Sequence, residues 1–324
     1  MEMDMNMETK EATRFKHLQK WESTLAACIR CGYCFEHCPL YKFTGWESDA
    51  PRAKIITAFG LLSGELEPTE MAADKIFNCF YCKRCEAACS SGVTLTDIFT
   101  DAKKDLIELG FRGPGTTSIT LKNCARCLVC VKACPHEARY FHKDNRIETD
   151  PVKCQACGIC VEVCPAGAAK IQHTFGTGRE DLIQASSRFL STHSSAKAVV
   201  FACNWSYYPD LQASRLPESE THDKDYEIYV NMCAGRLESQ LLMSPFLNNA
   251  WGVLISTCPE DECQHKNGNT RAKKMVESLR STLERINIDP ERLQVVETAA
   301  GDKTLFQAQI DTFIDQLNTL GPIK

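Results

Sequence analysis

Sixteen of the twenty cysteines follow one spacing, C-x2-C-x2-C-x3-C, repeated four times. Cys28, Cys31, Cys34 and Cys38 form the first run and Pro39 follows it. Cys79, Cys82, Cys85 and Cys89 form the second, followed by Ser90. Cys124, Cys127, Cys130 and Cys134 precede Pro135, and Cys154, Cys157, Cys160 and Cys164 precede Pro165. Three thiolates at this spacing on a tightly turning loop reach three corners of one cubane. The fourth cysteine, at the opening of a helix that leads away, ligates the other cluster of a pair. Four runs therefore predict four 4Fe–4S clusters. Their ligands would be Cys28, Cys31, Cys34 and Cys89; Cys38, Cys79, Cys82 and Cys85; Cys124, Cys127, Cys130 and Cys164; and Cys134, Cys154, Cys157 and Cys160. Zinc sites use four ligands, often as two separated pairs, and explain triple runs poorly. Systematic disulfide pairing within such loops is sterically unfavourable.

Composition narrows the class. The 324 residues carry a net charge of -5, which argues against an electrostatic nucleic-acid binder. The opening MEMDMNMETK contains no apolar run, so no secretory signal is visible. No apolar run reaches the roughly 18 residues of a membrane span. The expected location is a reducing cytoplasm, where so many thiols point to metal rather than disulfides.

The elements that must position these ligands change along the chain. Before residue 115 the pattern is helical. Residues 11–27 carry Phe15, Leu18, Trp21 and Leu25 at helical spacing. Pro51 opens a helix that Gly64 closes, and Thr96 is the expected cap of another that ends at Gly110. A linker is expected at 113–115. Between the third and fourth runs, 138–142 and 146–149 flank Lys143, Asp144 and Asn145 as a small hairpin. The core of that module would be its clusters more than its side chains.

Strands then alternate with helices. Strands are expected at 198–202, 226–230, 251–256 and 293–296, and helices at 181–190, 237–247 (bent at Pro245), 270–286 and 305–320. The fold class expected is multidomain α+β and α/β. A helical two-cluster domain (1–112) precedes a small ferredoxin-like domain (113–177) and a C-terminal parallel-sheet α/β domain (178–324). The remaining cysteines, Cys203, Cys233, Cys258 and Cys263, fall at or after strand ends, the ligand-binding edge of open parallel sheets. Four thiolates there suit a 2Fe–2S cluster or a zinc ion; single buried cysteines acting as small hydrophobes are the plain alternative.

Three resemblances follow from these motifs. Residues 20–110, with CIRCGYCFEHCP and CFYCKRCEAACS around a helical insert, resemble the small C-type iron–sulfur subunit of heterodisulfide reductases, although Ser90 replaces the usual proline. Residues 117–173 resemble a two-cluster bacterial-type ferredoxin. Residues 197–300, with FACNWS, MCAGR and CPEDEC followed by NGN, resemble the delta subunit of the methyl-viologen-reducing hydrogenase. That family often has a further cysteine where this chain has Ser206. The last resemblance implies a 2Fe–2S cluster and a flavin-containing heterodisulfide-reductase-A-like partner, the usual seat of electron bifurcation. The other end would face a hydrogenase, formate dehydrogenase or acyl-CoA-type reductase.

No catalytic constellation accompanies the cysteines. No G-x-G-x-x-G follows a strand, no G-x4-G-K-[ST] loop occurs, and no two cysteines are adjacent. His37 and His136 sit beside runs that already supply four thiolates each. Arg30, Lys83, Arg84, Lys122, Arg126 and Lys132 flank the runs, where positive charge would favour reduced clusters; simple solvated surface charge is the plain alternative. The expected role is a non-catalytic electron relay. A self-contained oxidoreductase with a small-molecule site in the last domain, and an iron–sulfur redox sensor, are the rival classes.

Overall fold

The computed structural model describes residues 14–111, 117–171, 178–207, 225–300 and 302–323. The expected linker at 113–115 and the start of the 11–27 helix lie outside them. Two compact units emerge. One comprises 1–131, 136–156 and 169–173; the other comprises 132–135, 157–168 and 174–324.

The first unit is built on three helices, α1 (Pro51–Ser63), α2 (Glu70–Phe77) and α3 (Leu95–Glu108), which pack on one another. Pro51 pre-sets the first turn of α1, and Gly64 ends it at φ 76°. The Thr69 hydroxyl caps α2 by accepting the Ala72 N–H at 3.1 Å. The core joins Ile55, Leu61, Ile76, Ile98, Phe99 and Leu106. Each such buried side chain contributes about 1.5–3 kcal/mol.

Two expectations fail here. The 11–27 segment is not one helix: a 3₁₀ turn at Gln19–Trp21 precedes a short helix at Glu22–Ala26. Phe15, Leu18 and Leu25 still face the core, because the buried Asp105 carboxylate takes the N–H groups of His17 and Leu18 at 3.0 and 2.9 Å. Nor does Thr96 cap α3. It lies inside the first turn, and its N–H and hydroxyl both bond Glu86.

Four short strands complete this unit. β1 (Thr117–Ile119) pairs antiparallel with β4 (Ala169–Ile171). β2 (Arg139–His142) pairs with β3 (Arg146–Thr149) across the expected turn, where Asn145 holds φ 59°.

The second unit carries a four-stranded parallel sheet. β5 (Ala198–Cys203) lies between β6 (Tyr226–Asn231) and β7 (Gly252–Thr257), and β8 (Leu293–Glu297) adds beside β7. Val199, Phe201 and Cys203 face α4 (Arg179–Thr192), α5 (Ser239–Leu247) and α6 (Gly268–Arg285). Ala198, Val200 and Ala202 face α7 (Lys303–Leu320). Both faces are thus covered, as parallel sheets require. Pro245 sits inside α5, and the Ser244 hydroxyl donates to Leu241 O, the carbonyl that Pro245 leaves unserved. Strand order reverses about β5, so a ligand crevice is due beyond its carboxyl end. Cys203 occupies that end.

Candidate metal centres

All four runs share one backbone device. The residue before and the residue after the second cysteine take left-handed conformations. The pairs are Arg30 and Gly32, Tyr81 and Lys83, Arg126 and Leu128, and Ala156 and Gly158, with φ between 52° and 91°. Most are not glycine, and a side chain there costs roughly 1–2 kcal/mol. In the first two runs the sharp curl this produces turns three sulfurs toward one cavity. Single turns of helix then carry the third cysteine of each run.

The expectation that every fourth cysteine opens a helix holds for Cys38, which caps the helix Pro39–Thr44. Cys89, Cys134 and Cys164 lead into turns instead. Three residues beyond each, Gly92, Glu137 and Gly167 have positive φ. The turns return backbone N–H groups to sulfur: Val93 donates to Cys89 Sγ at 3.4 Å and Ala168 to Cys164 Sγ at 3.2 Å.

In the first unit the runs enclose two cavities. One, of about 370 Å³ with its open mouth, is lined by Cys28, Cys31, Cys34 and Cys89. The other, of about 390 Å³, is lined by Cys38, Cys79, Cys82 and Cys85. Each cavity therefore draws three cysteines from one run and the last from the other. Electrostatics groups the sulfurs in the same way. Burial pushes Cys34 up to about 11, and the charges of Cys28, Cys31 and Cys89 add to it. Burial pushes Cys38 up to about 12 and Cys85 well above the ordinary thiol value, with Cys82 and Cys79 adding to both. Such thiols give up protons when metal binds. Cys31, by contrast, is exposed and lowered, by the Tyr33 N–H first and by the Ser90 hydroxyl, 3.8 Å away.

The third and fourth runs are divided between the units. Cys124, Cys127, Cys130 and Cys154 belong to the first; Cys134, Cys157, Cys160 and Cys164 belong to the second. Their ligand sets rest on spacing and on the shared loop geometry.

At the carboxyl edge of the parallel sheet the four remaining cysteines meet. Cys258 lies within hydrogen-bonding reach of both Cys203 and Cys263, and the charges of Cys203 and Cys263 bear on Cys233. The Cys258 thiol lowers Cys203 to about 6 and Cys263 to about 5, and is itself raised. Backbone N–H groups of Trp205, Ala234 and Ser206 support the Cys203 thiolate; those of Asn269, His265 and Gly268 support Cys263. The backbone here leaves room for sulfur alone. A Cβ on Gly268 would fall 2.4 Å from Cys233 Sγ, and one on Gly235 would fall 2.7 Å from Gly268 Cα. This thiolate-rich, glycine-walled cradle fits an iron–sulfur centre. Ser206 turns its hydroxyl to Cys203 O at 3.0 Å and joins a buried chain with Ser256 and Thr298.

The fourth run reaches this site. Cys157 and Ile159 pack with Cys233, and Arg271 pairs with Glu162 at 3.0 Å. The charges of Cys233, Cys157, Glu238 and Cys160 surround Arg236. Sequence motifs included Gly235 and Gly268 without revealing that they wall the sulfur. Arg236 carried no distinguishing signal beyond its motif.

Curled cysteine loops, paired cavities and a cysteine-lined sheet edge define an iron–sulfur protein. Known proteins place it further. Residues 24–93 and 116–171 each match a 4Fe–4S dicluster domain, and 198–321 match the methyl-viologen-reducing hydrogenase delta subunit. The D-type iron–sulfur subunit of the F420-non-reducing hydrogenase of Archaeoglobus profundus is 31% identical over 129 residues, 39% of this chain and 91% of the relative. The chain belongs to this hydrogenase delta-subunit family.

Other relatives share less of their length. The A-type subunit of the ferredoxin/F420H2-dependent CoB-CoM heterodisulfide reductase of Methanosarcina acetivorans is 29% identical over 125 residues, and the chain spans 16% of it. The D-type subunit of the dihydromethanophenazine:CoB–CoM heterodisulfide reductase of Methanosarcina barkeri is 30% identical over 124 residues, 34% of this chain and 29% of the relative. Together these matches liken the chain to iron–sulfur subunits of hydrogenases and to subunits of heterodisulfide reductases. No helix among the described residues is long and apolar enough to cross a membrane.

Proposed function

We propose that the chain relays electrons between a partner oxidoreductase and a flavoprotein resembling the A-type subunit of heterodisulfide reductases, within an electron-bifurcating complex. The observation that carries this reading is the packing of Cys157, in the fourth run, against Cys233 of the sheet-edge site. Cysteines of two sulfur sets sharing one buried cluster leave a short path for an electron, and no substrate need enter between them.

The ligand sets follow the sequence assignment. Four 4Fe–4S clusters take Cys28, Cys31, Cys34, Cys89; Cys38, Cys79, Cys82, Cys85; Cys124, Cys127, Cys130, Cys164; and Cys134, Cys154, Cys157, Cys160. A 2Fe–2S cluster takes Cys203, Cys233, Cys258 and Cys263. When bound, the clusters supply one-electron storage. The chain's own residues hold thiolates in fixed geometry, bury seven of the twenty away from water and direct backbone N–H groups at sulfur. A small-molecule enzyme finds no support at the strand ends, because cysteines fill the edge where its ligand would bind.

The test is anaerobic native purification with identification of co-purifying subunits. A flavoprotein and a second oxidoreductase are expected. A chain that purifies alone and turns over a small substrate would refute the relay.

A further inference from the structure

The bulkiest side chains with almost no exposure include three cations, Arg84, Lys54 and Lys103, all in the helical region of the first unit. Lys103 lies over the rings of Tyr81 and Phe77, at 4.5 and 5.4 Å. Lys54 is placed differently. It reaches inward from α1 and lines the second cavity with Cys38, Cys79, Cys82 and Cys85. Its Nζ donates to Asp49 O at 2.9 Å, while the Asp49 carboxylate engages Lys75 at 2.5 Å. An ammonium sealed from water is costly unless an anion compensates it. Four thiolates around iron are such an anion. We propose that Lys54 sets the second N-terminal cluster as the higher-potential member of its pair, so that an electron shared by the two rests at the Cys38, Cys79, Cys82 and Cys85 site.

This inference rests on the cluster reading and goes beyond it. The first cavity also has cations in its lining, Arg30, which is exposed to water, and Arg52. The Arg52 guanidinium is already paired with Glu47, at 2.8 and 2.5 Å, so its charge is largely cancelled. The Ser90 hydroxyl and the Tyr33 N–H favour negative charge on Cys31, but Cys31 is exposed and water offers it similar bonds. A charge acts far more strongly in a sealed, low-dielectric site than at the surface. The transfer balances simply: one electron leaves the first cluster, which is oxidised by one, and enters the second, which is reduced by one. No proton or bond changes hands.

The experiment is an EPR-monitored redox titration of the full chain, purified without oxygen, alongside an iron count. Lys54→Met is expected to disfavour reduction of one cubane signal at least tenfold, a fall of 59 mV for a one-electron couple. Lys54→Arg should keep that signal near its wild-type potential. Arg52→Met should move a different, lower-potential signal, and by less. Unchanged potentials in Lys54→Met with iron retained would overturn the inference. So would loss of that cluster's iron in both Lys54→Met and Lys54→Gln with retention in Lys54→Arg, since Lys54 would then be needed for assembly. A wild-type chain without iron would instead overturn the cluster reading itself.

Discussion

The N-terminal cavities and the sheet-edge site gather sulfur by opposite means. In the first unit, cysteines ride on loops forced into left-handed turns, and the sulfurs line open cavities. At the sheet edge, β5, β6 and β7 deliver Cys203, Cys233 and Cys258 from a rigid hydrogen-bonded frame, and the sulfurs lie against one another. Loops that carry strain need something to hold them, and bound metal is the natural support. A parallel sheet buried on both faces keeps its shape from packing alone.

Removing iron should therefore loosen the first region far more than the second. After chelation under reducing conditions, backbone amides in 28–38 and 79–89 should lose hydrogen-exchange protection, while those of β5 and β7 keep it. Equal loss in both regions would remove the distinction. The next effect concerns the sheet edge. Gly268→Ala places a methyl group against Cys233 Sγ, so the purified chain should lose about two iron atoms, with the cubane signals intact. Full iron with an unchanged 2Fe–2S spectrum would show that the cradle yields.

Smaller effects sharpen the N-terminal side. Asp105→Ala leaves the His17 and Leu18 N–H groups without their buried acceptor and should cost about 1–3 kcal/mol. Urea unfolding followed through Trp21, whose indole donates to Asp101, would read this loss. Ser90→Ala removes one hydroxyl from an exposed sulfur, and the first cluster's potential should fall only slightly, by far less than in Lys54→Met.

Much of this was legible in sequence because its signals are local. Cysteine spacing marked the curled loops, the sheet and its helices appeared within a few residues of the expected ranges, and Pro51 and Gly64 marked α1 at both ends. What escaped depends on distant partners. The 11–27 periodicity suggested a continuous helix, but Asp105, about ninety residues away, takes the N–H groups that bound the break. Thr96 resembled a cap until Glu86 claimed it. Of the basic residues beside the runs, Arg30, Lys83, Lys122, Arg126 and Lys132 are exposed or half-exposed and only Arg84 is buried. The cation buried against a cavity, Lys54, lies in the helical insert, far from any cysteine in sequence. Burial decides which charge matters, and spacing does not report burial.

If the relay reading holds, all twenty cysteines bind iron in five centres. The most direct measurement is iron and acid-labile sulfide analysis with Mössbauer spectroscopy on the full chain, purified without oxygen. About 18 iron atoms per chain are expected, divided between cubane and 2Fe–2S environments. A colourless chain holding zinc, or none of either metal, would contradict the relay reading.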